Sequence, residues 1–308
     1  MLFKFLTKRP GKLCYKRESD RGAYKQFAKT LLKSRLEKRR KLADPVSASN
    51  ELAVSDELGF RILDPISASR LLSIEPLIKR CEELVRGDLN SQSKGKAYLK
   101  SFDVSSKLTT VPEIMNFALH PLLLRTITDY LGELPVLSDI KLLHSVPGAG
   151  DFSGSQLYHC DHDDTRQVKV FLHISDVDEQ SGPLTILPAN LSEKIRTKVS
   201  YLFGGGEGHI PDSQFRNSEV DEAEVSILGP KGTLALVDTA RVFHFGSRVS
   251  SKERLIFYLH YVTPSSFKYH PALPFIPGLL RKRIGDYPYS TFKGTALSKM
   301  QRAVLNGK

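Results

Sequence analysis

The densest cluster of ligand-type side chains in this 308-residue chain is Tyr158-His159-Cys160-Asp161-His162-Asp163-Asp164, just before a segment with strand patterning. On a strand, residues i and i+2 point to one side, so His159 and Asp161 can grip one ion while Cys160 faces away. An imidazole and a carboxylate from one strand end, joined by a second imidazole from elsewhere, leave three adjacent coordination positions open. That geometry suits Fe(II) with a bidentate co-substrate and dioxygen. Taken alone, H-x-D is weak, because nine His and 18 Asp in 308 residues predict about half a chance match per chain. A second match, His162-Asp163-Asp164, is present. The zinc-hydrolase spacings H-x-H-x-D-H and H-E-x-x-H are not.

Residues further along the chain narrow the reading. Gly232 to Asp238 reads as a strand that turns and re-emerges as Val242-Phe243-His244-Phe245-Gly246-Ser247. In so apolar a strand His244 is either a hydrogen-bonded core residue or the second imidazole. Ten residues on, Arg254 opens a run ending at Val262 that is apolar on both faces, where a buried unpaired charge is strongly destabilising. Its partner is either a structural carboxylate, Asp238 or Glu253, or the distal carboxylate of 2-oxoglutarate, which a guanidinium holds through two parallel hydrogen bonds. Lys169, on the strand after H-x-D, either points to solvent or faces the cavity, where it would touch the co-substrate or an acidic substrate group. His173 and His260 are read as satisfying hydrogen bonds within the sheet.

Several segments, in order, carry a resemblance: Asp129-Tyr130-Leu131-Gly132, Tyr158-His159-Cys160-Asp161, Val170 to Asp178, Ser181-Gly182-Pro183-Leu184-Thr185-Ile186-Leu187-Pro188 and His244 to Arg254. Over about Val111 to Thr263, half of its length, the chain resembles the phytanoyl-CoA dioxygenase family. The resemblance implies a double-stranded β-helix, a barrel-like sandwich of eight antiparallel strands with iron at its open end. It matches His159 and Asp161 to the family's H-x-D, His244 to its distal histidine and Arg254 to its 2-oxoglutarate arginine. Tyr158 matches the aromatic residue before the motif, which makes His162 a neighbour rather than a ligand. The family often places a serine two residues beyond the distal histidine; here that position is Gly246, and Ser247, next along, is the co-substrate candidate. The Gly-Ser-His that commonly comes after the family's proline is Ala189-Asn190-Leu191 here. The implied cofactors are Fe(II), 2-oxoglutarate and O2. The implied reaction is hydroxylation with release of succinate and carbon dioxide, and Asp161, where related halogenases carry a small residue, points away from halogenation.

The elements that must position these residues change character at Gly132. Before it the apolar spacing is helical: a basic helix at 22–42, a second stretch at 66–86 that Pro76 divides, and a third from Thr110 to Leu131 interrupted by Pro121. After it come short strand-like runs at about 137–146, 167–175, 183–187, 224–228, 232–237, 241–245 and 254–263, separated by Gly, Pro and Ser turns. Helices first and then many strands predict an α+β fold, a jelly-roll or cupin-like barrel flanked by N-terminal helices. One connection, 189–223, is long and holds Phe203-Gly204-Gly205-Gly206-Glu207-Gly208, which makes it either a lid or a surface loop without a role.

The formal charge of +11 is concentrated. Residues 1–42 hold fifteen Lys and Arg against Glu18, Asp20 and Glu37, a net +12, so the other 266 residues sum to −1. This predicts a basic extension over 1–45 ahead of an oxygenase domain at 46–308, with helical support at 60–132, barrel core at 137–263 and a C-terminal extension at 264–308. The extension is read as a solvated helix, with an anionic surface or an acidic partner as the alternative and nucleic acid not the expected one. Three scattered cysteines make neither a disulfide framework nor a thiolate zinc site. No apolar run approaches membrane-spanning length, and the first six residues are too short for a secretory apolar segment, so the expectation is a cytoplasmic protein acting on a small-molecule substrate. Two other readings stay open: a catalytically silent barrel serving as a binding module docked through its basic tail, and a metal-dependent enzyme on the same barrel that needs no 2-oxoglutarate.

Overall fold

In the computed structural model of the chain, residues 16–87, 94–96, 98–147, 152–204, 206–248, 251–268 and 297–306 are described. The first fifteen residues of the basic extension and most of the C-terminal one lie outside them. The first half of the chain gives helix α1 (Glu18–Arg40), strand β1 (Phe60–Leu63), helices α2 (Pro65–Leu72) and α3 (Glu75–Gly87), strands β2 (Lys94–Lys96) and β3 (Leu99–Asp103), and helices α4 (Pro112–Ala118) and α5 (Pro121–Leu131). Then come β4 (Val136–Ser145), β5 (Val168–His173), β6 (Thr185–Ile186), helices α6 (Ala189–Lys198), α7 (Asp212–Phe215) and α8 (Ser218–Ala223), strands β7 (Val225–Ser226), β8 (Leu234–Val237), β9 (His244–Phe245) and β10 (Arg254–Val262), and helix α9 (Lys299–Asn306).

All strand pairs are antiparallel, in a large sheet of order β1-β8-β5-β10-β4-β3-β2 and a small one of order β7-β6-β9. The small sheet gains a fourth strand at Tyr158–His159, where His159 bridges to His244 and Tyr158 to Ile210. From β4 onward the chain therefore crosses between sheets at every step but β6 to β7, with β4, β5, β8 and β10 in the large one and 158–159, β6, β7 and β9 in the small one. Eight strands wound in that order form a double-stranded β-helix, so the fold is the α+β barrel that the texture of the sequence predicts.

The period of two sorts the large sheet's side chains. Val168, Val170 and Leu172 of β5, Ile140 and Leu142 of β4, and Phe257, Leu259 and Tyr261 of β10 join one apolar core with residues of α2, α4, α5 and α9. The alternate positions, Lys169, Phe171 and His173, Lys141 and Leu143, and Arg254, Ile256 and Tyr258, line a cavity on the inner face. Arg254 thus heads a strand whose inner face is not apolar.

Helix boundaries follow local chemistry. The break in the 66–86 stretch falls at Ser73 (φ 50°), and Pro76 sits in the first turn of α3, where its missing N–H costs nothing. Pro121 opens α5, and Gly132 (φ 71°) closes it in the left-handed region. Strands β1 and β3 correct the reading of the first 132 residues as purely helical. Four or five residues are too few to show a period, and pairing with β8 and β4 recruits them to the sheet.

A second correction concerns the basic helix. Arg21, Tyr24, Lys25, Ala28, Leu32, Leu36 and Arg39 form a buried stripe, so α1 is docked rather than solvated. Arg21 donates to the carbonyls of His162 (3.2 Å) and Asp164 (2.6 Å), and its guanidinium lies 3.9 Å over the Phe203 ring. Lys25 Nζ meets Asp164 Oδ1 at 2.8 Å and also donates to Thr263, while Arg39 donates to the carbonyls of Ala303, Leu134 and Pro135. Among the described residues no helix is long and apolar enough to cross a membrane.

Candidate metal centre

The strand at 158–159 and strand β9 are pinned back to back: His159 N donates to His244 O (3.1 Å) and His244 N to His159 O (3.0 Å). Alternation sends Tyr158, Cys160, Phe243 and Phe245 outward into one aromatic cluster. It sends His159, Asp161 and His244 inward, where their ligand atoms lie within 4.8 Å of one another. Asp161 is held by its own N–H, which donates to Thr239 O at 2.7 Å. Each imidazole is fixed through Nδ1, His159 to Leu157 O (2.9 Å) and His244 to Val242 O (3.1 Å), both carbonyls two residues upstream. With Nδ1 donating, both Nε2 lone pairs are free for an ion.

Electrostatics favour the ligand forms. Burial pushes both imidazoles below their ordinary pKa and keeps them neutral. Burial alone would raise the Asp161 carboxyl, but Lys169 and the two imidazoles outweigh it and hold it well below the carboxylate range. Lys169 Nζ lies 2.5 Å from Asp161 Oδ2, and Gln167 Nε2 donates to the same oxygen at 3.1 Å. Lys169 thus faces the cavity, but its contact is with Asp161. Burial raises the Cys160 thiol to about 12, so it is no thiolate ligand.

Arg254 stands in the same cavity wall, 7 % exposed. Its Nη2 donates to Ser145 Oγ and Ser247 Oγ, each at 3.1 Å, and its buried Nε has no partner among the described residues. Neither carboxylate proposed from sequence reaches it: Asp238 accepts from Tyr130 OH at 2.8 Å, and Glu253 meets His144 at 3.1 Å. Burial without a counter-ion lowers its pKa to about 10. A buried guanidinium held by two serines, with an unpartnered Nε among the described residues, could take an anion. Ser247 lies in the left-handed region (φ 54°), which turns its hydroxyl onto Arg254 and Ser145.

The cavity joining these groups has a volume of about 400 Å³. Its wall also includes His162, which is not part of the three-residue cluster, and His209, which sequence reasoning missed. His209 stacks on His159 with ring centroids 4.9 Å apart; the only signal for it was the glycine run before it. The 189–223 connection carrying it is not a plain loop, since it contains α6, α7 and α8. It is stitched to the barrel by Tyr201 OH, which accepts from Cys160 N and donates to Gly208 O, and by the Tyr158–Ile210 backbone pair. His173 and His260 bond as expected, to Gly229 O (3.4 Å) and Asp139 Oδ2 (3.3 Å).

No protein-family model matches the chain, and no curated protein matches it by sequence. Among solved structures, it is similar to the epimerase SnoN in complex with Fe3+, alpha ketoglutarate and nogalamycin RO, at 14 % identity and a TM-score of 0.47, over 79 % of this chain and 91 % of that one. EctD from S. alaskensis is 18 % identical with a TM-score of 0.49, over 72 % of this chain and 78 % of that one. HygX from Streptomyces hygroscopicus with nickel and 2-oxoglutarate is 15 % identical with a TM-score of 0.46, over 68 % and 84 %. These likenesses are too distant to bear on this chain's chemistry, which rests on its own geometry.

Proposed function

We propose that the chain is an Fe(II)- and 2-oxoglutarate-dependent dioxygenase of the phytanoyl-CoA dioxygenase kind, hydroxylating a small-molecule or lipid-like substrate with release of succinate and carbon dioxide. The observation that carries this reading is the pairing, within one cavity, of a two-histidine, one-carboxylate cluster with a buried arginine that lacks a carboxylate partner. The donor set fits iron: two neutral imidazoles and one carboxylate, their ligand atoms within 4.8 Å of one another, would hold the ion at the cavity wall. When bound, the metal and 2-oxoglutarate supply oxidation of a C–H bond coupled to decarboxylation.

The chain's residues have separate tasks. His159, Asp161 and His244 would hold the ion, and the carbonyls of Leu157 and Val242 fix the imidazole tautomers. Arg254, steadied by Ser145 and Ser247, takes the distal carboxylate of the co-substrate. Gln167 orients the Asp161 carboxylate. Gly204, Gly208 and His209 form part of the wall of the same cavity.

The test is iron-dependent conversion of 2-oxoglutarate to succinate, run without a prime substrate and then over a panel of acyl thioesters, amino acids and lipids. A protein that turns over no 2-oxoglutarate under any of these conditions overturns the reading. One observation favours the silent binding module instead, namely the 2.5 Å ion pair that already engages Asp161 with Lys169. Fe(II) titration separates the two, because a module that keeps the ion pair binds no iron.

A further inference from the structure

The cavity carries cations at two separate levels. Along the inner face of β10, Arg254 is opposite Ser145, Tyr258 opposite Lys141, and His260 opposite Lys169. Four residues of strand separate Arg254 from Tyr258, roughly 13 Å at about 3.3 Å per residue. At the Tyr258 level, Lys141 Nζ is 5.8 Å and Lys169 Nζ 5.6 Å from the tyrosine ring centroid, and all three residues line the cavity. The charged residues among the described lining are Lys141, Lys169, Arg254 and Asp161, a formal sum of +2. A divalent cation and dianionic 2-oxoglutarate cancel, so the loaded cavity keeps that excess of positive charge.

The excess sits on the two lysines. Lys169 is within 2.5 Å of Asp161, the carboxylate an ion would claim. Lys141 is 3.7 Å from Asp139, two residues away on the same strand face and shared with Lys268 (3.1 Å) and His260 (3.3 Å). A buried ammonium whose carboxylate has turned to a metal needs another anion. Phe171 and Leu143, beside this pair on the same face, offer apolar contact to whatever brings that anion in.

We propose that Lys141 and Lys169, with the Tyr258 ring between them, form a second anion subsite that takes the carboxylate of the prime substrate, a small organic acid with an apolar body. The inference rests on the oxygenase reading above for what occupies Asp161 and Arg254.

The experiment is calorimetric titration of the full-length protein, held without oxygen and saturated with Fe(II) and 2-oxoglutarate, with straight-chain monocarboxylates from butanoate to decanoate, each against its neutral primary amide. At least one acid should bind about tenfold or more tighter than its amide, the effect of one charge-assisted contact. Lys141→Met should abolish that preference, and Lys141→Arg, which keeps the cation, should retain it. Equal binding of acids and amides, no binding by any acid, or an undiminished preference in Lys141→Met overturns the subsite. Failure of the oxygenase reading shows earlier and separately, as a protein that takes up no Fe(II) or 2-oxoglutarate before any acid is added.

Discussion

His159 and His244 form a reciprocal pair in which each donates its backbone N–H to the other's carbonyl, at 3.1 and 3.0 Å, with ring centroids 4.2 Å apart. Two imidazoles from segments far apart in sequence are thereby set by main-chain hydrogen bonds, whatever their side chains do. The His244→Ala protein should therefore fold with an unchanged circular dichroism spectrum. Its Fe(II) affinity should fall by more than the roughly 10- to 100-fold that a change behind the ligands causes. Metal titration of the folded variant checks this, and retained iron affinity would remove His244 from the centre.

Arg254 should trade stability for co-substrate binding. The Arg254→Met protein should lose about a hundredfold in 2-oxoglutarate affinity, the scale for truncating one partner of a buried charge pair. In the absence of ligand it should be more stable than the parent by about 1–2 kcal/mol, because it removes a buried guanidinium with no carboxylate partner among the described residues. Denaturant titrations with and without 2-oxoglutarate read both effects. An enzyme that needs no 2-oxoglutarate would keep its activity in this variant.

Acid should destabilise the fold in a window that His173 helps to set. Burial, with Arg254 nearby, lowers its pKa from 6.5 to about 4, although Gly229 O accepts from the ring. As pH falls below 6.5 the unfolded chain takes up a proton that the folded chain refuses. Stability is therefore lost between pH 6.5 and 4 and unaffected above, with a ceiling of about 3 kcal/mol from this residue. His173→Gln should flatten the decline of Tm with pH across that window by its share, and an identical slope would assign the acid sensitivity elsewhere.

The N-terminal helix should matter to the segment that carries His159 and Asp161. Lys25 is bonded to the fully buried Asp164, three residues beyond Asp161, and Arg21 holds the carbonyls on either side of Asp163. Lys25→Met strands a buried carboxylate and should cost about 3–5 kcal/mol in urea unfolding. Arg21→Ala should be milder, about 2 kcal/mol from lost hydrogen bonds and ring contact. A solvated extension would show neither loss.

What the sequence determined by itself was whatever local spacing encodes. The period of two put His159 and Asp161 on one side and Cys160 on the other, Pro121 and Gly132 bounded α5, and the alternating texture after Gly132 foretold an antiparallel barrel. Those features depend on neighbours a few residues apart. Tertiary structure decided which groups lie opposite one another. It chose His244 over His162 as the third member of the cluster, gave Asp238 to Tyr130 rather than to Arg254, and set Lys169 against Asp161. It also brought His209 onto His159 and turned the basic stripe of α1 inward onto Asp164. All but the Lys169 contact join residues far apart in the chain, and that one depends on which way a strand's face turns. The strand pairing of the whole barrel fixes such contacts, and no short-range pattern of residue types carries that information.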